Sequence, residues 1–162
     1  MPERFVKEAR TVAADAQDEA RASGSSTIEA EHLLLALARD DASRAGDVLR
    51  ASGLDHAAIR QALDEEYERS LTAIGVSLDA LTPRTRPPIA GRPRWEPSGR
   101  AALERALEAA RARGNRRIGS RHILLGVLAA EQGTVPRALR GVGAEPAELV
   151  AATNADMVRR SN

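Results

Sequence analysis

The sequence contains no cysteine and very few aromatic residues, and both absences narrow the kinds of protein it can be. Without cysteine, disulfide bonds and thiolate metal sites are excluded. The aromatic residues are Phe5, Tyr67 and Trp95, so a core has to be built from Leu, Ile, Val and many Ala residues. Because sheets favour β-branched and aromatic residues, this composition predicts closely packed helices.

Long apolar runs are also missing. No stretch approaches the ~20 apolar residues that a membrane-spanning helix needs, and nothing at the N-terminus resembles the apolar segment of a signal peptide. We therefore expect a cytoplasmic protein with no membrane partner.

The patterns that carry enzyme chemistry are absent too. A phosphate-binding loop of the form G-x-x-x-x-G-K-[ST] needs a lysine, and Lys7, the only lysine in the chain, has no such context. No G-x-S-x-G elbow occurs, and the carboxylates lie mainly on helix faces that we expect to be solvated. These absences predict a protein that is not an enzyme and that needs no cofactor.

Charge is unevenly distributed along the chain although the net charge is only +1. Residues 1–70 hold 9 Lys or Arg against 15 Asp or Glu, and residues 71–162 hold 15 against 8. The second half could contact nucleic-acid phosphates through its arginines, or it could present a solvated basic face. The candidate phosphate-contacting arginines are Arg84, Arg86, Arg92, Arg94, Arg100, Arg111, Arg113, Arg116, Arg117 and Arg121.

The most informative feature is a repeat at a constant offset of 90 residues. Residues 28–37 read I-E-A-E-H-L-L-L-A-L, and residues 118–127 read I-G-S-R-H-I-L-L-G-V. The match extends without gaps and places Phe5 on Trp95, and Gly24 on Gly114. We predict an all-α fold of two tandem four-helix repeats with pseudo-twofold symmetry.

Helix signals divide each copy in the same way. The first helix should span about 4–22 in the first copy and 97–112 in the second, and a glycine should end this helix in both copies. A third, short helix should span about 44–51 and 135–141. The second helix carries the repeated phrase, where Ser26 and Glu29 have the form of a capping box. A fourth helix should follow Gly53, with Asp55 as its N-cap, and Gly143.

The segment between the copies has a different composition. Residues 70–81 could add a short helix, but the four prolines in residues 82–94 forbid regular helix. The predicted organisation is a first repeat at 1–69, an insert and Pro/Arg-rich linker at 70–94, and a second repeat at 95–162. Together the repeats should form one compact domain.

The repeated histidines, His32 and His122, allow several interpretations. They could form a metal site, a catalytic pair or a repeated piece of scaffold. Neither has an E-x-x-H or H-x-x-x-H partner on its helix face. We therefore favour rings that hydrogen-bond to neighbouring backbone, buried at matching places, and no metal.

Several repeated patterns carry a resemblance to a known family. A helix ending in A-R-x-x-G, then I-x-x-x-H-[IL]-L-L-[GA]-[VL] and a later L-R-x-x-G, are each written twice. This order resembles the Clp N-terminal (Clp repeat) domain, which in ClpA-, ClpB- and ClpC-type unfoldases precedes the ATPase rings and receives substrates and adaptors. The chain stops where those ATPase modules would begin. The resemblance therefore implies a free-standing ClpC-like N-domain protein.

The resemblance also implies candidate binding residues. In ClpC-type relatives an acidic residue of each repeat, with a Thr near the start of the first helix, helps to hold phosphorylated arginine. Glu31 matches that acid, whereas Arg121 stands at its place in the second copy, and Val6 and Glu96 replace the Thr residues. We expect at most one degraded site, at Glu31, because a like charge repels a guanidinium. Glu31 could equally be a carboxylate that stabilises the helix N-terminus.

Trp95 matches an aromatic residue that in ClpC-type relatives lines a peptide-binding surface, also used by cyclic-peptide antibiotics. The resemblance implies a partner surface of Trp95, Arg100, Phe5 and Pro2, where Pro2 replaces a Phe and should lower affinity. We expect Trp95 to be partly exposed beside the first-repeat N-terminus. The alternative is a scaffold residue that pins the linker against the bundle.

These observations predict a non-enzymatic protein-binding module of the Clp chaperone-protease system. Its partners would be Clp subunits, adaptors or clients, with cyclic peptides as further ligands, and it would act as an adaptor, regulator or decoy. The alternatives are a nucleic-acid-binding protein that uses the Arg-rich second half, and an orphan module without a partner.

Overall fold

The computed structural model describes residues 5–76 and 86–159. Within these ranges the chain forms eight α-helices and two strands of two residues each, so the predicted all-α fold is confirmed. The first four helices are α1 (Lys7–Ala22), α2 (Ala30–Arg39), α3 (Arg44–Ala51) and α4 (His56–Ala73). The second four are α5 (Pro97–Ala112), α6 (Ser120–Leu128), α7 (Thr134–Gly141) and α8 (Pro146–Arg159).

Corresponding helices of the two repeats start 90 residues apart, as the sequence offset predicts. Lys7 and Pro97 begin α1 and α5, and the other three pairs keep the same spacing. Gly24 and Gly114 follow α1 and α5 with φ angles of 71° and 67°. Because this left-handed backbone is unstrained only for glycine, both residues end their helices as predicted.

Helices α2 and α6 lie at the centre of the molecule. Their residues are almost all buried, which agrees with an apolar stripe that is wider than one helix face. Helices α1 and α5 pack against them through faces rich in alanine. Small side chains let the helix axes approach closely, so a core with few aromatic residues still packs densely.

The two repeats are interlocked rather than placed side by side. Strand β2 (Arg94–Trp95) pairs in parallel with β1 (Thr27–Ile28), and an isolated bridge joins Phe5 to Ile118. The chain before the first helix of each repeat therefore pairs with the chain before the second helix of the other. In addition, α4 packs on α7 and α3 packs on α8.

The start of α2 differs from the predicted capping box of Ser26 and Glu29. Helix α2 begins at Ala30 with Glu29 as its N-cap, and His32 completes the cap by accepting a hydrogen bond from the Glu29 backbone N–H at 2.9 Å. The Ser26 carbonyl accepts from the Arg94 N–H instead. The prediction was wrong because pairing with β2 holds Thr27 and Ile28 in an extended strand, which delays the helix start.

The described part of the segment between the repeats that precedes β2, residues 86–93, crosses over the end of α1. Helix α4 ends at Ala73, before Gly75 with a φ of 81°, and the remainder of the predicted short helix at 70–81 lies largely outside the described residues. Residues 86–93 form no regular helix or strand, as their prolines predict. We call residues 86–93 the strap.

Candidate binding site

The two histidines occupy equivalent buried positions and bond to backbone, as the sequence predicts. His32 and His122 are 2% and 6% exposed. Nδ1 of each ring accepts from the backbone N–H three residues earlier, at 2.9 Å for His32 and 3.1 Å for His122. Burial lowers the pKa of His32 to about 4, and burial, followed by the charges of Arg113 and Arg121, lowers that of His122. Both rings are therefore neutral helix caps at pH 7.

Trp95 lies at the seam between the repeats, where β2 pairs with β1. Its side chain is half-buried and packs against the hydrophobic core. Gly99 allows this packing, since a Cβ there would lie 3.1 Å from Trp95 Cε3 and 2.7 Å from the Ile28 carbonyl oxygen. The ring thus combines a packed part with a solvent-accessible part.

The other residues of the expected partner surface differ in accessibility. Phe5, the repeat counterpart of Trp95, is only 6% exposed and belongs to the core. Its ring therefore has little surface to offer to a partner. Arg100 is exposed in the first turn of α5. Pro2 lies outside the described residues.

Glu31 lines a polar groove of the first repeat with a volume of about 580 Å³. We call this cavity the first-repeat groove. Its lining includes Ser23, Glu29, Glu31, His32, Arg60 and Asp64, with Arg86, Pro87 and Pro88 contributed by the strap. The Glu31 side chain is 24% exposed, and its Oε1 lies 4.0 Å from His32 Nε2. The groove therefore mixes carboxylates and cations around one buried, neutral imidazole.

The place of Glu31 in the second repeat is taken by an internal ion pair. Arg121 Nη1 lies 2.8 Å from Asp156 Oδ2, and both side chains are mostly buried. Val6 and Glu96, which stand at the two expected Thr positions, each lie beside the second helix of the other repeat. Val6 lies next to Ile118, to which its N–H donates, and Glu96 donates in the same way to Ile28. The residue at the expected Thr position that lies on the same side of the molecule as Glu31 is therefore Glu96, and not Val6.

A buried carboxylate that the sequence analysis missed supports the first repeat. Glu19 is 4% exposed and bonds to Arg60 at 2.8 Å and to His56 at 2.9 Å, while Arg39 lies 3.7 Å away. These contacts tie α1 to α2 and α4. Ala109 occupies the equivalent position in the second copy. This difference between the copies was the sequence signal that could have identified Glu19.

The basic second half is partly paired with the acidic first half. Arg137 of α7 donates to Glu66 of α4 at 2.6 Å, and Arg69 and Ser70 bond to the same carboxylate. Arg111, Arg116 and Arg117 are exposed around the turn after α5. Some of the opposite charge predicted from the sequence is thus neutralised by contacts within the molecule.

Neither a membrane-spanning helix nor a metal-binding cluster occurs within residues 5–76 and 86–159. No described helix is both long and apolar enough to cross a bilayer. Among the described residues, no group of three or more His, Asp or Glu side chains is arranged to hold a metal ion.

Comparison with known proteins places these features in a family. The family model of the Clp repeat (R) N-terminal domain matches residues 4–85 and 96–160. The chaperone protein ClpC1 of Arabidopsis thaliana chloroplasts is 32% identical over 149 residues, which cover 92% of this chain and 14% of that protein. The negative regulator of genetic competence ClpC/MecB of Bacillus subtilis is 30% identical over 140 residues, or 86% of this chain. The chain spans about 15% of the length of such relatives.

Solved structures show the same fold. The N-terminal domain of the chaperone ClpD from Arabidopsis thaliana superposes with a TM-score of 0.71 at 23% identity, covering 96% of this chain and 95% of that one. The Hsp104 N-terminal domain from Candida albicans gives 0.59 at 15% identity, with 93% and 89% covered. With both halves of the chain matched by the family model and the fold shared with these domains, the chain belongs to the family of Clp repeat N-terminal domains.

Proposed function

We propose that this domain is a non-enzymatic protein- and peptide-binding module of the Clp chaperone-protease system. It acts in the cytoplasm on Clp subunits, adaptors or clients, as an adaptor, a regulator or a decoy for substrates and toxic peptides. Family membership supports the connection with the Clp system. The position and exposure of Trp95 support binding as its mode of action.

The observation that carries the proposal is the unequal exposure of the two equivalent aromatic residues. Phe5 is buried in the core, whereas Trp95 at the same place in the second repeat keeps part of its ring accessible. A rigid indole that is already packed on one side loses little conformational entropy when a partner covers the other. Arg100, exposed in the first turn of α5 five residues after Trp95, can donate hydrogen bonds to a peptide carbonyl or carboxylate.

Substitution of Trp95 by alanine tests this proposal. Loss of an aromatic anchor costs ~2 kcal/mol or more, so the affinity for a Clp subunit or a ClpC-binding cyclic peptide should fall about thirty-fold. Binding is measured by calorimetry at a temperature where circular dichroism shows the variant folded. Tyr67→Ala, which removes a half-buried aromatic ring from α4, is the matched control and should bind like the wild type.

Two results would contradict the proposal. Unchanged affinity in a folded Trp95→Ala variant would leave Trp95 as scaffold that pins β2 to the bundle. Absence of Clp subunits from pull-downs, together with DNA or RNA binding that weakens as salt rises, would favour the nucleic-acid alternative.

We also propose that binding of phosphorylated arginine, if retained, depends on Glu31 alone. Arg121 is a cation where the second site would need an acid, and it is already paired with Asp156. Beside Glu31, Glu96 of the second repeat, whose N–H donates to Ile28, stands where a phosphate would need a hydrogen-bond donor. Its carboxylate repels phosphate, so such binding should be weak.

A further inference from the structure

The turn that follows the first helix is covered in one repeat and uncovered in the other. In the first repeat, residues 21–27 are mostly half-buried, because the strap and β2 lie against them. In the second repeat, all of residues 111–117 are exposed. We call residues 111–117 the basic turn. Because the two turns are equivalent in the repeat, the covered turn shows what kind of segment fits on the uncovered one.

The strap shows how an extended segment docks on such a turn. Its Ile89 N–H donates to the Arg21 carbonyl at 3.3 Å, and Arg21 Nε donates to the Gly91 carbonyl at 2.9 Å. The strap also passes so close to Gly24 that a Cβ there would lie 2.5 Å from Arg86 Cβ. Docking therefore uses the backbone and the side chain of one arginine, and a glycine that leaves room for the segment.

The basic turn keeps both residues, and no segment of the described chain lies over them. Arg111 stands at the position of Arg21, and Gly114 at that of Gly24. Gly114 has a φ of 67°, close to the 71° of Gly24, and a Cβ there would meet nothing within 4 Å. Within residues 5–76 and 86–159, the Arg111 side chain has no hydrogen bond or ion pair. A strap-like segment from another chain would therefore find the same groups available.

Charge determines which kind of segment the basic turn can hold. The strap carries two arginines, and the first-repeat groove beside it is lined by three carboxylates and Arg60. The basic turn has the opposite sign, since residues 109–120 contain four arginines and no carboxylate. Arg113 donates to the backbone at 2.9 Å, but Arg116 and Arg117 have no hydrogen bond or ion pair with any described residue. An acidic segment therefore complements this surface, whereas a basic segment is repelled.

We propose that the basic turn binds an extended, acidic segment of a partner protein in the way that the strap lies on the first repeat. The segment donates a backbone N–H to the Arg111 carbonyl and accepts from Arg111 Nε, and its carboxylates pair with Arg116 and Arg117. This inference rests on the protein-binding function proposed above. It adds a contact site that does not depend on Trp95.

A peptide derived from the strap tests the inference. Acetyl-Glu-Pro-Pro-Ile-Ala-Gly-Glu-Pro-amide keeps the sequence of residues 86–93 and replaces both arginines by glutamate. Added to the full chain, it should shift the NMR amide signals of Gly114 and Asn115 and leave those of Gly24 and Ser25 unchanged. The same peptide with its original arginines should bind about tenfold more weakly, because like charges meet. An ionic strength of about 0.15 M limits long-range attraction between charges.

Gly114→Ala and Gly143→Ala separate strap-like docking from simple charge attraction. These glycines have φ angles of 67° and 79° and open space at the Cβ position, so both alanines impose similar backbone strain without a clash. Only Gly114→Ala places a methyl group in the path of the docked peptide, and it should weaken binding about tenfold. Gly143→Ala should bind like the wild type. Unchanged affinity in the Gly114→Ala variant would overturn the proposal.

Removal of charge from the basic turn gives a second test. The double variant Arg116→Gln/Arg117→Gln should bind the acidic peptide about tenfold more weakly than the wild type. Arg44→Gln/Arg140→Gln is the charge-matched control, because it removes two exposed arginines from α3 and α7. An equal loss of affinity in both double variants would show that net charge alone attracts the peptide, and would overturn the site.

Other occupants of the basic turn are distinguished in the same experiments. Tighter binding of octathymidylate than of the acidic peptide would overturn the assignment to protein in favour of nucleic acid. Self-association in sedimentation that is lost in Arg116→Gln/Arg117→Gln would assign the turn to a second copy of this chain and overturn the partner segment.

The inference and the proposed function fail separately. Trp95→Ala should leave the affinity for the acidic peptide unchanged, and a parallel loss would overturn the independence of the two sites. Absence of acidic-peptide binding to the wild type would overturn the basic-turn site, and Trp95-dependent binding of a Clp subunit or cyclic peptide would then still stand.

Discussion

At the residue scale, the repeated histidine acts as a helix cap rather than as a reactive group. Each ring accepts the backbone N–H that the first turn of α2 or α6 leaves without a helical partner. Nε2 of His32 lies 3.3 Å from the Ser23 hydroxyl, and Nε2 of His122 lies 2.9 Å from the Asn115 side-chain amide. A ring that caps through Nδ1 has to be neutral, so its role depends on pH.

Acidification should destabilise the domain through His32. Its pKa of about 4 in the folded state lies below the ordinary value of 6.5, so the unfolded chain takes up the proton first. This contribution to stability is complete above pH 6.5 and is lost as the pH falls from 6.5 to 4. The loss should amount to about 3 kcal/mol. Urea unfolding at pH 7 and pH 4.5 measures it, and His32→Asn is the control that should lose less on acidification. An NMR titration that places the folded His32 pKa near 6.5 would contradict this expectation.

At the element scale, the contact between α5 and α6 is closer than ordinary side chains would permit. A Cβ at Gly126 would lie 2.7 Å from the Ala106 nitrogen and closer still to the Ala102 carbonyl oxygen. Both residues belong to the alanine face of α5. Ala36 occupies the place of Gly126 in the first repeat and is fully buried there, so the two helix pairs have diverged in spacing requirements.

Gly126→Ala should therefore destabilise the domain by about 2 kcal/mol, because the added methyl group forces α5 away from α6. Helix propensity alone predicts the opposite sign, since alanine in an open helix is more stable than glycine by about 1 kcal/mol. The free energy of unfolding, measured by chemical denaturation, shows which of the two effects is larger. Ala36→Gly, at the equivalent position, reports the propensity and cavity effects without overpacking. A stabilised Gly126→Ala variant would show that the helices can separate at little cost.

At the scale of the whole molecule, contacts between the repeats replace a conventional domain boundary. Glu8 of α1 accepts from the Ser120 hydroxyl of α6 at 2.6 Å and from the Arg44 backbone N–H of α3 at 3.1 Å. Ser98 of α5 accepts in turn from the Ala30 N–H of α2 at 3.2 Å. Each repeat thus caps a central helix of the other.

Neither repeat should fold by itself. Fragments 1–76 and 86–162 would each expose the surface that contacts the other repeat, and each would lose the caps described above. Chains of this size are only marginally stable even when intact. Each fragment alone should show weak helical circular dichroism without a cooperative thermal transition, and equimolar mixing should restore both. A cooperative transition in either isolated fragment would show that its repeat is an independent folding unit.

The sequence was sufficient for much of the fold because the signals used were local. Apolar spacing, glycine stops and the Asp55 cap depend on neighbours within one or two turns, and the Asp55 side chain does accept from the Ala58 N–H. The offset of 90 then carried each assignment from one copy to the other. The Ser26 assignment failed where this logic fails, because β2, far away in sequence, pairs with Thr27–Ile28 and bonds to the Ser26 carbonyl, so the helix starts later.

By itself the sequence determined that this protein is helical, that it is built from two equivalent units and that its histidines are scaffold, since a repeated pattern implies a repeated local structure. Only the tertiary structure decided which residues of the two copies meet. Phe5 is buried while Trp95 is half exposed, and the strap covers Gly24 but not Gly114. Burial depends on what distant segments place against a residue, and the strap, which lies against the first repeat at Gly24 and not against the second at Gly114, breaks the symmetry that the sequence pattern implies.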